Sequence, residues 1–446
     1  MLVQMEIDLK DQIKNKFESL CAIGQSSEGD SIQKLRGKAF ATFEQLGFPT
    51  IKNEDWKYTN VKPILKDNFS FTPIPTTSSY EEAIKDKGYF GQGLDAYTLI
   101  LINGIYQPQW SNIPSDDSIS IAAVEDVWDQ VAIDEILNKD RNNKSNPFIA
   151  LNTALFQGGI VIQIKKNKVL DKPIHLVHLG DSSEHYFQQS KNIFIAEFGS
   201  QAEIIESFEN LNTESHLLRN AVTEIRVAAN AKLQHYKLQK GDASLRLIEH
   251  TEVEQEGDSQ YNNYTFTLPG YSFVRNNLNL ALEGSNIDSH MYGLYLTNDH
   301  QLVDNHTLVD HQEPHCESNQ MYKGIMMGHS RAIFNGKVYV HPIAQKTNAF
   351  QQNNNILFSD FATIYSKPQL EIFADDVKCS HGSTIGQLDP DALFYLKARG
   401  INEEDGRSML VNAFAFDVTE KIENLEIKDL LNEAISQTML GKALLV

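Results

Sequence analysis

Apolar and polar residues alternate along the middle of the chain, from about residue 156 to about residue 373. A period of two is typical of β-strands that bury one face. Small or polar residues such as Gly199-Ser200 and Asn335-Gly336 interrupt the alternation, and no helical pattern of about ten residues separates the strands. The pattern therefore predicts an all-β segment. It is clearest in GIVIQIKKNKV, NIFIAEFGSQAEIIESFE, AKLQHYKLQK and SRAIFNGKVYVHPIA.

Three architectures fit such a segment: a sandwich, a barrel and a parallel β-helix. No exact short repeat decides among them. We favour the β-helix because stacked coils lengthen a structure without enlarging one core. A β-helix would have exposed strand edges at its ends and along its flanks, and helices must cover these edges or another chain must pair with them.

Helical patterns lie on both sides of the β-segment. Apolar residues at intervals of three and four predict a helix over residues 32–46, and Gly47 and Pro49 end it. A connector, FSFTPIPTTSSYEE, follows, and YTLILINGIYQPQW predicts two short strands around Asn103-Gly104.

The C-terminal part is predicted to contain three helices. Asp389 is a suitable N-cap, Pro390 fits the first helical turn, and Gly400 fits the end of that helix. Asn402 can cap a second helix, and a third is expected near Glu426. The chain is thus predicted to consist of an N-terminal helical domain with a connector (1–150), a parallel β-helix core (151–385) and a C-terminal helical domain (386–446).

Composition excludes several classes of function. The 446 residues have a formal charge of −20, which disfavours nucleic acid and anionic membranes as partners. The N-terminus lacks a secretory signal, and no segment has the roughly 18 consecutive apolar residues of a spanning helix. Cys21, Cys316 and Cys379 are odd in number and far apart, unlike a disulfide framework. We expect a cytoplasmic protein, and because the sequence has no P-loop motif we expect no nucleotide hydrolysis of that kind.

The stretch LEIFADDVKCSHGSTIG contains the most reactive set of side chains. On a strand, Cys379 and His381 would share a face and could bind one soft or borderline metal. Two ligands are too few for a closed protein site, so distant residues, a small molecule or another subunit would have to complete it. A nucleophile with its base is less favoured because no oxyanion donor can be assigned. Asp375 and Asp376 could act as a general acid and base, but adjacent strand residues face opposite ways, and capping of a turn explains both as readily.

Two other segments have both a functional and a structural interpretation. His306, His311, His315 and Cys316 could bind metal, but Pro314 disfavours a helical pair, and turn or strand-surface histidines are the preferred description. In LFYLKARG the apolar residues surround one helix, so they either pack internally or form a partner surface.

Several motifs together resemble the SufB/SufD family, the scaffold proteins of the SUF iron–sulfur cluster assembly system. They are DHQEPHCESNQMYKG, FNGKVYV, AQKTNAFQQNNNILFS and SKPQLEIFADDVKCSHGSTIGQLDPDALFYLKARGI, between about residue 310 and residue 416. NEDWKYTNV, near the N-terminus, resembles the SufD branch rather than SufB. The chain departs from the family pattern at Ser383, where Ala is usual, and at Gly406, where a better helix former is usual.

The resemblance implies a right-handed parallel β-helix flanked by helical domains, in a complex with SufB and the ATPase SufC. It implies that His381, and with less support Cys379, contributes to a transient iron–sulfur cluster at the SufB contact. It also implies that the C-terminal helices bind SufC through a set of four residues: Leu393, Phe394, Tyr395 and Arg399.

The expected function is therefore a scaffold subunit rather than an enzyme, with no catalytic residues and no cofactor held tightly by the isolated chain. ATP hydrolysis is expected in SufC, and the chain is expected to pair with a SufB-like subunit or, in isolation, to form a homodimer. Two alternatives remain: a β-helix enzyme acting on a polysaccharide, and a stand-alone cytosolic metalloprotein.

Overall fold

A computed structural model describes residues 9–27, 30–71, 84, 88–114, 117–137, 146–181 and 184–443. Two long sheets dominate it. The first, sheet I, has ten strands: β1 Tyr97–Ile102, β2 Ile105–Tyr106, β5 Ile174–Gly180, β7 Gln201–Asn210, β9 Lys232–Gln239, β11 Gln260–Thr267, β13 Asp288–Thr297, β15 Glu317–Met326, β17 Asn348–Leu357 and β19 Lys378–Gly386. The second, sheet II, has nine: β3 Ile119–Ala123, β4 Ile160–Ile164, β6 Tyr186–Ala196, β8 Leu217–Val227, β10 Leu245–Gln255, β12 Phe273–Leu282, β14 Leu302–His311, β16 Arg331–Val340 and β18 Thr363–Ile372.

From β4 onward, successive strands alternate between the two sheets, and neighbours within each sheet are parallel. This is a parallel β-solenoid, so the predicted fold class is confirmed. Alternate side chains point between the sheets, into a space that we call the lumen. There Tyr322 of sheet I contacts Phe334 of sheet II, with ring centroids 5.2 Å apart.

The antiparallel strands are confined to the N-terminal end of the solenoid. β1 and β2 form the predicted hairpin, whose turn residues Asn103 and Gly104 have φ values of 51° and 86°, the backbone of a tight hairpin turn. β1 also pairs with β5, and β3 pairs with β4. The predicted connector lies mostly outside the described residues. The domain boundaries near residues 150 and 385 stay predictions.

The N-terminal helices cover the outer face of sheet II. They are α1 Leu9–Ser27, α2 Asp30–Leu46, α3 Val124–Val127, α4 Val131–Leu137 and α5 Pro147–Leu155, and 3₁₀ helices span Glu54–Trp56, Lys62–Leu65 and Pro108–Trp110. The helix predicted over residues 32–46 is confirmed by α2. Every residue of α5 is buried, and the Asn146 side chain caps it by accepting a hydrogen bond from the Phe148 N–H at 3.0 Å.

The segment NEDWKYTNV lies against the outer face of sheet II. Arg275 of β12 stacks on Trp56, 3.8 Å from the ring centroid, and forms an ion pair with Asp304 of β14 at 2.6 Å. Tyr58 stacks on Tyr365 of β18, with ring centroids 4.2 Å apart. This segment therefore fastens the N-terminal region across four turns of the solenoid.

The C-terminal helices are α6 Pro390–Ala398, α7 Glu403–Thr419 and α8 Leu425–Ala443, in agreement with the three that the sequence predicts. α7 and α8 pack on the outer face of sheet I, where a column of tyrosines, Tyr236, Tyr264 and Tyr292, meets their apolar side chains. Among the described residues, no helix has both the length and the apolar character needed to cross a membrane.

Candidate functional site

The solenoid ends at β18 and β19, each of which pairs with a neighbour on one side only. We call this pair of strands the open end. In the preceding turn the lumen-facing residues Ala349, Gln351 and Asn353 are buried. On β19, one turn later, the residues that pair with these three are Cys379, His381 and Ser383, in that order. Most of them are exposed, because nothing in the described chain covers this last turn.

Cys379 and His381 therefore project from the same face of β19, into the exposed end of the lumen. The Cys379 side chain is half-buried against a small apolar group that includes Val338 and Ala349, and burial raises the pKa of its thiol. His381 is exposed. Residues that are two positions apart on a strand have Cα atoms roughly 6–7 Å apart. Cys379 and His381 can therefore share a ligand, but they do not form a preassembled nucleophile and base.

The floor of the open end is polar. The Ser366 and Ser383 hydroxyls lie 2.8 Å apart across the lumen, and Ser366 also donates to Asn353 at 2.8 Å. Below His381, Gln351 donates to Gln320 at 2.6 Å. Amides and hydroxyls orient neighbouring groups but are poor ligands for a soft metal. Within the described residues, Cys379 and His381 thus have no third strong ligand beside them.

Asp376, close to this pair in the chain, has a structural role. The Asp376 carboxylate forms an ion pair with Lys346, and its backbone N–H donates to the Gln345 side chain at 2.9 Å. The Lys346 N–H in turn donates to the Asp376 carbonyl at 2.6 Å. Asp376 therefore fixes the turn between β18 and β19, although within the described residues its carboxylate accepts from the Lys346 side chain rather than from the backbone N–H groups that the capping interpretation predicts.

The residues of the second histidine group do not converge. His306 faces outward and pairs with Asp304 at 3.0 Å, whereas His311 lies in the lumen and contacts the Ser318 hydroxyl at 2.9 Å. His315 occupies a turn with φ of 63°, and Cys316 is buried with its thiol directed at the Gly284 carbonyl. The turn interpretation holds for His315, and the strand-surface interpretation is wrong for His311.

Within the part of the chain that the structure describes, one other set of metal-ligating side chains comes together: Asp67, His185 and His216. Its hydrogen bonds disfavour a metal. Arg246 donates to Asp67 at 2.6 Å and lies 2.9 Å from Nδ1 of His216, so a guanidinium cation already occupies this position. Nδ1 of His185 accepts a hydrogen bond from the backbone N–H of His216 at 2.9 Å, so this ring nitrogen is already engaged.

The C-terminal helix α6 presents apolar side chains in two directions. Leu393 is half-buried and packs toward α7 at Gly406, where an added Cβ would lie 3.0 Å from the leucine Cδ1. Gly406 therefore allows the two helices to approach closely, which explains its presence within a helix. Phe394 and Tyr395 are 72% and 55% exposed, and the Arg399 guanidinium lies 4.6 Å from the Tyr395 ring centroid.

The sequence interpretation missed several exposed apolar residues around the open end. Phe361, Phe373 and Ile385 are large and solvent-exposed. Ile385 continues the lumen-facing column of Asn355, so only its place in the last turn exposes it. The alternating pattern could have identified it as a core position, but not as an uncovered one.

Two family models match the sequence. Residues 8–176 match the SufBD protein N-terminal region, and residues 178–414 match the SufBD core domain of SUF system FeS cluster assembly. The chain belongs to the SufB/SufD family. The predicted resemblance is thereby confirmed, and the SufB/SufD family gives the chain its general function, SUF-system iron–sulfur cluster assembly.

Individual relatives agree with this family assignment. The iron-sulfur cluster assembly protein SufD of Escherichia coli is 31% identical over 409 residues, covering 89% of this chain and 90% of the relative. An iron-sulfur cluster assembly SufBD family protein of Synechocystis is 28% identical, covering 97% of this chain and 96% of its own. Protein ABCI7 of Arabidopsis thaliana, described as chloroplastic, is 28% identical, covering 89% and 84%. The similarity to SufD extends over nearly the whole chain.

Proposed function

We propose that this chain is a non-catalytic scaffold subunit of a SUF assembly complex that pairs with a SufB-like subunit through the open end of its solenoid. The observation that supports the proposal most directly is that lumen-facing positions are exposed on β19 although the same columns are buried one turn earlier. β19 also has a neighbouring strand on one side only, and the unpaired edge of a strand pairs readily with another strand. A second copy of this chain is the alternative occupant when the partner is absent.

In this proposal His381 and Cys379 provide part of the coordination of a nascent iron–sulfur cluster, which is cargo rather than a resident cofactor. A stable cluster requires four strong ligands, usually thiolates. This chain would supply two at the contact, and the partner subunit would supply the rest. Because Cys379 is half-buried with a raised pKa, the exposed His381 is the more available ligand at neutral pH.

We further propose that α6 binds a SufC-type ATPase. Phe394, Tyr395 and Arg399 form an exposed aromatic and cationic surface of the kind that contributes strongly to interfaces. Leu393 supports this surface from below by packing on α7. Because the sequence has no P-loop motif, the energy for conformational change would come from the associated ATPase.

The test of the shared site is His381→Ala in the reconstituted complex. We expect cluster formation, followed by visible absorption and iron content, to fall at least about tenfold, because one strong ligand is lost at the contact. The complex should still assemble, since His381 is exposed and makes no core contact.

The matched control is His300→Ala, which removes another exposed histidine, on the turn between β13 and β14. It should leave the cluster yield unchanged. A normal yield from His381→Ala would exclude His381 from the cluster site, whereas a loss of complex formation would indicate a purely structural role at the contact.

A further inference from the structure

A cleft of about 360 Å³ lies far from the open end, between the outer face of sheet I and the turn that joins α7 to α8. Two carboxylates from these different elements meet there. Glu203 belongs to β7, and Glu423 belongs to the turn. The cleft therefore lies where the helical tail joins the solenoid.

Each carboxylate is held by one amide and keeps one oxygen free. Asn424 donates to Oε2 of Glu203 at 3.0 Å, and Gln234 donates to Oε2 of Glu423 at 3.1 Å. Among the described residues, neither Oε1 atom accepts a hydrogen bond or forms an ion pair. Burial raises the pKa of Glu203, and the nearby charge of Glu423 adds to the shift, so the two groups repel each other when both are ionised.

An independent observation comes from Asn262 of β11. Its side chain lines the same cleft, is only 8% exposed, and has an Oδ1 atom without any hydrogen-bond partner in the described chain. Asn262 is in register with Gln234, which is in register with Glu203, so the three lie side by side on adjacent strands. A buried amide oxygen without a partner is costly unless a ligand or water satisfies it.

We propose that this cleft binds a hard divalent cation of the Mg²⁺ or Ca²⁺ type through the free oxygens of Glu203 and Glu423 and the amide oxygen of Asn262. All three donors are oxygens, which these ions prefer, and water would complete the coordination, as is usual for Mg²⁺ held by one or two carboxylates. The ion would neutralise the repulsion between the two carboxylates and link sheet I to the helical tail.

Terbium luminescence provides a local test on the full-length chain. Tyr236 donates its hydroxyl hydrogen to Gln234 at 2.6 Å beside the cleft, so excitation of tyrosine should sensitise Tb³⁺ bound there. We expect saturable luminescence that Mg²⁺ or Ca²⁺ displaces. Glu203→Gln and Glu423→Gln should each weaken Tb³⁺ binding at least about tenfold, because each removes a charged ligand while keeping an amide of the same shape.

Two further variants control for non-specific binding to this acidic chain. Lys232 lines the same cleft, and Lys232→Gln should tighten binding because it removes a competing positive charge. Glu404→Gln removes an exposed carboxylate in the first turn of α7 and should have no effect. Added Mg²⁺ should also raise the unfolding temperature of the unaltered chain more than that of the Glu203→Gln, Glu423→Gln double variant. Equal Tb³⁺ binding by all variants, or no displacement by Mg²⁺ or Ca²⁺, would overturn the proposal.

Discussion

Five histidines are buried among the described residues, and in four of them the pKa falls to about 3 or 4, so these four remain neutral in the folded chain. Burial, with Arg219 nearby, lowers the pKa of His178 to about 4, and burial alone lowers that of His311 to about 4. Burial is also the main reason that the pKa values of His175 and His250 fall to about 3. An unfolded histidine has a pKa near 6.5, so protons bind the unfolded chain first when the pH decreases.

This difference predicts acid instability that begins well above the range of ordinary carboxylates. The stabilising contribution of these histidines is complete above pH 6.5 and decreases below it, because only the unfolded state gains protons there. Each group should lower the free energy of unfolding by about 1.4 kcal/mol per pH unit between pH 6.5 and its folded pKa. His311→Gln should reduce the slope by that amount, which urea unfolding at pH 7.5, 6.5 and 5.5 would measure.

His300 provides the control for this prediction, because it lies exposed on the turn between β13 and β14. His300→Gln should leave the slope of stability against pH unchanged. If His311→Gln has the same slope as the unaltered chain, burial does not suppress protonation of His311. A lower stability at every pH with an unchanged slope would show a packing effect only.

At the scale of single residues, the sequence predicted which side chains share a face of a strand better than it predicted whether those side chains are buried or exposed. Period-two spacing predicts that Cys379 and His381 share a face, and the register of β19 against β17 places both toward the lumen. Their exposure could not be predicted, because it depends on β19 being the last strand. His311 follows the same alternation, yet its lumen position depends on which face of β14 is inside, which local sequence does not specify.

Among the elements, α6 has apolar side chains on both an inner and an outer side. Leu393 packs on α7 at Gly406, and Phe394 points to solvent. Phe394→Asp should therefore leave folding unchanged and weaken binding of a SufC-type ATPase by at least about 2 kcal/mol, or about thirtyfold in Kd, as loss of an exposed aromatic anchor does. Calorimetric titration of the ATPase into the chain would measure it.

Leu425→Asp is a suitable comparison because Leu425 is 70% exposed at the start of α8, away from α6. Its Kd should match that of the unaltered chain. If both substitutions weaken binding equally, the effect is one of added negative charge. An unchanged Kd for Phe394→Asp would exclude this side of α6 as the ATPase contact.

The elements themselves were largely predictable, but their repetition was not. Alternation and capping residues identified the strands and the three C-terminal helices. The repeat was hidden because the coils differ in length: Asp288 pairs with Glu317, 29 residues later, and Glu317 pairs with Asn348, 31 residues later. Strand pairing also brings β3, and β1 of the predicted hairpin, into the solenoid from the part of the chain assigned to the N-terminal helical domain, because the choice of a distant partner strand is not visible in a local pattern.

The whole molecule has two different ends. At the N-terminal end, antiparallel strands β2 and β3 close the two sheets. At the open end, the Lys378 N–H donates to the Thr347 carbonyl at 2.9 Å, toward β17. Because peptide groups alternate along a strand, the N–H groups of Cys379, His381 and Ser383 point away from β17, toward the uncovered edge. The edge can therefore accept another strand, as the proposed pairing with a SufB-like subunit requires.

A proline at Ser383 separates pairing at this edge from folding. Ser383→Pro removes an N–H that has no partner within the solenoid, and an edge strand tolerates proline in that orientation, so the melting temperature of the isolated chain should stay nearly unchanged. Association with a SufB-like subunit, or with a second copy, should weaken at least about tenfold, because one bridging hydrogen bond is lost and the ring obstructs the incoming strand. Analytical ultracentrifugation would measure both equilibria.

Ser383→Ala loses only the hydroxyl contact with Ser366 and should associate normally. If Ser383→Pro pairs as strongly as Ser383→Ala, the subunits do not meet through the backbone of β19, and the exposed lumen residues must serve another partner.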